Sequence, residues 1–200
     1  MRKLLLPALG ACALATAAQA AVTPVLDTVT LVGTEYEFSY SGTLSGDTGL
    51  VEEDVLIIYD FAGYVDGSIS SGIYAGDVDA STEFVSSFAP LGFDDDPLLV
   101  NLVFRWIGAP FQASGGPFAD VSFAGLTARS IFSGSKLDGY VGQTTINNGA
   151  ATGMKEFNAG AVGVAAAVIP EPASWALLIL GFGGAGAMLR MRQRSVATIA

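Results

Sequence analysis

Carboxylates are the side chains of this sequence whose grouping most suggests chemistry. Asp94, Asp95 and Asp96 are consecutive, and Asp77 and Asp79 lie two positions apart, on one face of an extended segment. Oxygen-rich loops of this kind can bind calcium, which takes about six to eight oxygen ligands in irregular geometry. None of these groups has the spacing of the regular calcium-binding loop. We therefore expect no cofactor, and calcium stays an open alternative at these positions.

Paired carboxylates could also hydrolyse glycosidic bonds if two of them lay at the required separation. Asp60, Asp95 and Asp120 can be nominated, but residues 21–169 contain 18 acidic side chains and no pattern singles out a pair. The chain has no histidine and one cysteine. This excludes Ser-His-Asp and Cys-His nucleophiles and histidine metal sites. We expect a protein that is not an enzyme, with a carboxylate-based glycoside hydrolase as the less favoured alternative.

Aromatic side chains suggest a third kind of chemistry, the stacking of sugar rings. The candidates are Tyr59, Tyr64, Tyr74, Trp106 and Tyr140. We expect Trp106 in the core, because in an extended segment it shares a face with the apolar residue two positions before it. Tyr64 and Tyr74 lie near glycines, so we expect them at the surface with solvated hydroxyls. A carbohydrate-binding module, with or without calcium, is therefore the alternative function.

The first 20 residues have the three parts of a secretory signal peptide. Two positive charges precede an apolar run over residues 4–18, and the small-x-small sequence from Ala18 to Ala20 follows. We expect cleavage between Ala20 and Ala21. The alternative is a lipoprotein signal at Cys12, which would leave a very short apolar stretch. Cleavage after Ala20 would remove the cysteine and leave a mature chain without disulfides.

The other end combines two prolines, an apolar run and a basic cluster. Pro170 and Pro172 keep the residues before them out of helical geometry, and Pro172 suits the first position of a helix. Residues 173–189 are uncharged and would span about 26 Å as a helix, close to the thickness of a bilayer core. Trp175 lies where an interfacial aromatic is expected, and the arginines that follow indicate the cytoplasmic side. These orienting residues are Arg190, Arg192 and Arg194.

This arrangement resembles the PEP-CTERM sorting signal, in its PEPxxWA variant. The matching residues are Pro170, Glu171, Pro172, Trp175 and Ala176, followed by the apolar helix and the arginines. The resemblance covers about the last 30 residues. It implies an exosortase of Gram-negative bacteria as the processing partner. It also implies a membrane-anchored intermediate with its body in the periplasm, and delivery to the cell surface or the exopolysaccharide matrix.

The residues between the two signals form an acidic body. Residues 21–169 carry 18 acidic and 4 basic side chains, a net charge of −14. Such a surface repels phosphates, so nucleic acid is excluded as a partner. The length suffices for one hydrophobic core.

Short strand-like runs separated by Gly, Ser and Asp predict a mainly β body, an antiparallel sandwich or jelly roll. Alternation or continuous apolar character predicts strands within residues 35–41, 55–59, 98–106, 121–123, 126–132 and 140–146. Weaker candidates lie at 69–74, 82–88 and 162–168.

The predicted organisation has four parts. Residues 1–20 are the signal peptide, 21–146 the β-sandwich body, 147–169 a Gly/Ala-rich spacer whose end is an alternative edge strand, and 170–200 the sorting signal. The sorting signal comprises the motif 170–176, a transmembrane helix 173–189 and a basic cytoplasmic tail 190–200. From this organisation we expect an exported, non-catalytic protein of the cell surface or biofilm matrix.

Overall fold

The computed structural model describes residues 21–86, 95–167 and 172–197. The described part contains nine strands, one long helix and two 3-10 helices, Gly72–Tyr74 and Gly149–Ala151. The strands and the helix, in chain order, are β1 (Val22–Val32), β2 (Glu35–Leu44), β3 (Thr48–Gly49), β4 (Val55–Phe61), β5 (Val78–Glu83), β6 (Val100–Trp106), β7 (Val121–Ser130), β8 (Gly134–Ile146), β9 (Lys155–Ala166) and α1 (Pro172–Ala197).

The strands form two antiparallel sheets. The first has three strands in the order β1-β2-β7, and the second has six, in the order β3-β8-β4-β6-β5 with β9 paired to β8. A hairpin joins β1 to β2 through Gly33, whose φ of 68° suits a tight turn between twisted strands. The prediction of a mainly β, antiparallel body is confirmed.

The main core lies between the two sheets. Phe38 and Tyr40 of β2 are fully buried and face a cluster that includes Ile58 of β4, Leu102 of β6 and Val164 of β9. In β2 the neighbouring residues Glu37, Ser39 and Ser41 stay half-buried, as the alternation in the sequence predicts. Burial of these apolar side chains is the main force that holds the sheets together.

The outer face of the larger sheet carries a second apolar cluster. It consists of Val55, Ile57, Tyr59, Val103 and Val141, each at most 3 % exposed. All seven residues of β4 are therefore buried, because this strand lies between β8 and β6 with apolar layers on both faces. A central strand buried on both faces reads as a continuous apolar run rather than an alternating one.

Several predicted strands need correction. The weak candidate at residues 69–74 is wrong: Gly72 has φ +58° and begins a 3-10 helix, with only an isolated bridge from Ser70 to Thr127. The two candidates at 121–123 and 126–132 form one strand, β7, which passes through Gly125 at φ +85°. Of the candidate at 82–88, residues 82 and 83 end β5, residues 84–86 follow the strand, and the last two lie outside the described residues.

β9 lies in the segment predicted as a spacer. It pairs with β8 over twelve positions, from Thr145↔Lys155 to Gly134↔Ala166, and lies at the edge of the larger sheet. Its Val162, Val164 and Ala165 are buried in the main core. The segment therefore contributes directly to the folded body.

The single long helix, α1, begins at Pro172, as the proline pattern predicts, and runs to Ala197. Residues 190–197, which we predicted as part of the basic tail, therefore continue the helix. None of the helices in the described ranges is both long and apolar enough to cross a membrane. A bilayer crossing by residues 173–189 stays a prediction.

Candidate functional site

The sorting residues lie around the start of α1. Pro170 and Glu171 lie outside the described residues, whereas Pro172 opens the helix. Trp175 and Ala176 follow on its first turn, and both are exposed. The three arginines that we assigned to membrane orientation lie in the second half of α1, at Arg190, Arg192 and Arg194.

The exposed surface of α1 is apolar along its described side chains. Leu177, Ile179, Leu180 and Phe182 are between 67 and 75 % exposed. Contiguous exposed apolar side chains of this size mark a surface that meets a membrane or another protein. The helix therefore presents such a surface next to the sorting residues.

The sorting residues follow closely on the folded body. β9 ends at Ala166 and α1 begins at Pro172, so five residues connect the last strand to the helix. Five extended residues span at most about 18 Å. An enzyme that binds this connection must therefore work within a short distance of the edge strand.

At the other end of the body, the predicted cleavage residues Ala18 and Ala20 lie outside the described residues. Ala21 is fully buried, and its carbonyl accepts a hydrogen bond of 3.0 Å from the Ser45 amide. β1 begins at the next residue, Val22. The body thus starts immediately after the predicted signal peptide.

The calcium candidates serve as hydrogen-bond acceptors for the backbone and for an amide side chain. Asp95 Oδ2 accepts from the Ser86 amide at 2.9 Å, and its Oδ1 accepts from Asn101 Nδ2 at 3.0 Å. Asp96 Oδ1 accepts from the Leu98 amide at 2.9 Å. Asp94 lies outside the described residues. These bonds show a polar loop fastened to the start of β6.

The second pair of calcium candidates, Asp77 and Asp79, is exposed at the start of β5. The Asp77 carbonyl accepts from the amides of Ile107 and Gly108, which joins this turn to the end of β6. Within the described ranges, no three carboxylates or other common metal-binding side chains come together. The geometry therefore gives calcium binding no support there.

Asp60, nominated as a catalytic carboxylate, is 5 % exposed and has φ +56°. Burial raises the pKa of its carboxyl, and a 3.0 Å hydrogen bond from the Asp96 amide to Oδ1 opposes that rise. Asn101 Oδ1 accepts from the Asp60 amide and so holds the strained backbone in place. Asp120 accepts from the Gly46 amide at 2.9 Å. Each nominated acid thus has a backbone partner, which indicates a structural role.

The aromatic candidates do not form an exposed stacking surface. Tyr59 and Tyr140 are buried, at 1 and 5 % exposure, so they cannot reach a sugar ring. Tyr64 and Tyr74, which we expected at the surface, are half-buried and pack against the main core. Trp106, expected in the core, is also half-buried.

The structure shows an ion pair that the sequence analysis missed, between the buried Asp54 and the partly exposed Lys155. Lys155 Nζ lies 2.5 Å from Asp54 Oδ1, and Asp54 has no exposed side-chain surface. Oδ2 of the same carboxylate accepts from Thr145 Oγ1 and from the Val51 amide, each at 2.9 Å. A carboxylate with this many donors can stay buried in its charged form. No local signal links residues so far apart in sequence.

A cavity of about 170 Å³ is the second feature that the sequence analysis missed. It lies at one end of the body between the sheets, and mainly apolar side chains line it. Trp106 and Tyr74, two of the proposed sugar-stacking residues, are among them. Their position explains why both are half-buried: each covers one side of the cavity.

Comparison with known proteins gives information on the C-terminal segment alone. Among protein families, the PEP-CTERM protein-sorting motif matches residues 168–193. No curated protein and no solved structure matches the chain. The match covers the connection after β9 and most of α1. The chain therefore carries a PEP-CTERM protein-sorting motif, which implies an exported protein that an exosortase sorts to the outside of the cell.

Proposed function

We propose that this protein is a non-catalytic component of the cell surface or the exopolysaccharide matrix, delivered there as a folded β body. The observation that carries the proposal is the sorting motif at residues 168–193, which begins two residues after the last strand ends at Ala166. The body precedes the motif completely, so a cut within the motif would release all nine described strands together.

The proposed intermediate is held in the inner membrane by α1. Support comes from the exposed leucines and aromatics of this helix, which need an apolar environment. The arginines at its far end are the residues expected on the cytoplasmic side. In this arrangement the acidic body lies in the periplasm until an exosortase cuts the chain.

A non-catalytic role fits the way the body uses its acidic residues. Asp54, Asp60, Asp95 and Asp120 each accept hydrogen bonds from the protein itself. Buried aromatic rings also give the carbohydrate-binding alternative little support. An acidic exterior keeps a β protein soluble and disfavours pairing of its strand edges.

Fractionation of cells with and without an exosortase tests the proposal. With the enzyme, we expect a form shortened at its C-terminus at the cell surface or in the medium. Without it, we expect a form that keeps α1, in the membrane fraction. The same size and location in both strains would contradict sorting. In a strain that makes no exopolysaccharide, the matrix role predicts loss of the shortened form from the cell-associated fraction into the medium. Retention on those cells would contradict it.

A further inference from the structure

The cavity lies between the inner faces of the two sheets. Leu44 of β2 and Leu126 of β7 line it on the smaller sheet, and residues of β4, β6 and β8 line it on the larger sheet. Leu56 and Phe104 form the floor on that face, and Val121 and Phe123 of β7 form the opposite side. The cavity thus has strand residues on two sides, and Leu50, Tyr74 and Phe111 from the connecting segments complete its lining.

Its aromatic sides are fixed in position. Trp106 Nε1 donates to the Ala109 carbonyl at 3.0 Å, and the indole packs on Phe111 with a centroid separation of 6.2 Å. The Phe123 ring lies directly on Gly42, where a Cβ would overlap it. A site whose sides are already held in place loses less conformational entropy when a ligand enters.

One buried polar group faces the cavity without a partner. Thr144 is 1 % exposed, and its Oγ1 has no hydrogen-bond partner among the residues that the structure describes. Alternation along β8 puts Thr144 on the same face as Tyr140, which lies in the main core. Gln143 and Thr145 point to the other face, where both bond Asp54. An unsatisfied buried hydroxyl costs about 1–3 kcal/mol, which a ligand with a matching group would recover.

Charge and volume restrict the ligand further. Asp54 is the acidic residue among those lining the cavity, but its carboxylate bonds Lys155 on the opposite face of the sheet. A charged ligand would therefore find no free opposite charge in the cavity and would lose its hydration. A cavity of about 170 Å³ is comparable to the apolar cavity of about 150 Å³ that accepts benzene in another protein. One aromatic ring with one small polar substituent fits both limits.

We propose that this cavity binds a small, neutral aromatic alcohol, a phenol, whose ring lies among Trp106, Phe111 and Phe123 and whose hydroxyl hydrogen-bonds Thr144 Oγ1. This function goes beyond export and delivery, because it assigns the folded body a ligand. It is independent of how the sorting motif is processed.

The test uses the purified full chain in one detergent and two probes, 4-fluorophenol and 4-fluorotoluene, followed by fluorine NMR. The probes have similar size and differ in the hydroxyl. Thr144→Val removes the proposed partner with little change in volume, and Val121→Trp fills the cavity. Thr30→Val, on an exposed part of β1, is the matched control. Because the same detergent surrounds every variant, differences between variants report on the cavity.

We expect saturable binding of 4-fluorophenol to the wild type and to Thr30→Val. Thr144→Val should weaken it about tenfold, the equivalent of one hydrogen bond, and leave 4-fluorotoluene unchanged. Val121→Trp should abolish binding of both probes. An unfolding temperature of Thr144→Val equal to or above that of the wild type would show that the variant is folded. Absence of saturable binding to the wild type, equal 4-fluorophenol affinity in Thr144→Val, or retained binding in a folded Val121→Trp would each overturn the proposal.

Discussion

Lys155 Nζ and Asp54 Oδ1 lie 2.5 Å apart although 101 positions separate the two residues in the chain. Lys155 is the first residue of β9, and Asp54 directly precedes β4. β8 lies between these strands and adds Thr145, which bonds both charged groups. The pair therefore connects three strands of the larger sheet at the same end.

Removing the cation of this pair should destabilise the protein strongly. Lys155→Met leaves the fully buried Asp54 carboxylate without an opposite charge, and we expect a loss of about 2–4 kcal/mol in the free energy of unfolding. Lys136→Met is the control, because its partner Asp138 remains partly exposed, and the expected loss is below about 1 kcal/mol. Urea unfolding followed by circular dichroism measures both. Equal losses in the two variants would show that the burial of Asp54 does not make its ion pair more important for stability than the exposed one.

Asp60 should make stability depend on pH. Burial raises the pKa of its carboxyl above the ordinary 3.8, so the folded state binds this proton more tightly than the unfolded state. The stabilisation that comes from protonated Asp60 is therefore fully present below the unfolded pKa, and it is lost as the pH rises through the folded pKa. Asp60→Asn keeps the acceptor for the Asp96 amide and tolerates the positive φ. We expect Asp60→Asn to raise the free energy of unfolding near pH 7. The decrease of that free energy with pH, which begins above about pH 4, should become smaller.

The control for this prediction is Asp66→Asn, which removes an exposed carboxylate from the same acidic body. Chemical unfolding at a series of pH values compares the two variants with the wild type. An unchanged slope in Asp60→Asn, or the same change in Asp66→Asn, would show that Asp60 is not the group responsible.

Gly142 of β8 should tolerate no side chain, because the sheets approach closely there. A Cβ at this position would overlap Val22 Cγ1 on β1 and approach Asn158 Oδ1 on β9. We expect Gly142→Ala to lose about 1–3 kcal/mol through overpacking. Gly76→Ala, in a turn with no atom within 4 Å of the new Cβ, should change stability by less than about 0.5 kcal/mol. The thermal unfolding temperatures of Gly142→Ala and Gly76→Ala, each compared with the wild type, measure these losses. Similar temperatures for the two variants would contradict close packing at Gly142.

The strands that the sequence predicts well are those whose burial is regular. β2 alternates around Phe38 and Tyr40, β4 begins with a continuous apolar run over residues 55–59, and β6 has apolar side chains at every second position from Val100 to Trp106. β1 was not predicted, since its residues 27–31 are exposed and show no periodic burial. It is a strand because it pairs with β2 over ten positions, and pairing leaves little trace in composition.

The two features inside the body were beyond local sequence patterns. Asp54 stands in an acidic run that predicts a solvated turn, whereas the distant Lys155 and Thr145 bond its carboxylate and stabilise its burial. The cavity brings together Tyr74, Trp106 and Phe123, which lie far apart in the sequence, so no local pattern predicts it. By contrast, the sorting residues are contiguous, which is why the sequence alone identified them.

The central claim is that the motif around Glu171 directs processing of a folded body. Glu171 is the only charge between β9 and the apolar run of α1, and so the only residue there that can make a charge-assisted contact with an enzyme. Glu171→Ala leaves the apolar run unchanged, so the helix keeps whatever membrane affinity it has. Glu52→Ala, at an exposed position of the body, is the matched control.

The most direct measurement compares the membrane and released fractions of both variants with the wild type, in a strain with an intact exosortase. We expect the wild type and Glu52→Ala to appear as the shortened, released form. Glu171→Ala should accumulate in the membrane fraction without the C-terminal cut, and its body should be folded. Release of Glu171→Ala at the wild-type rate and size would contradict the claim.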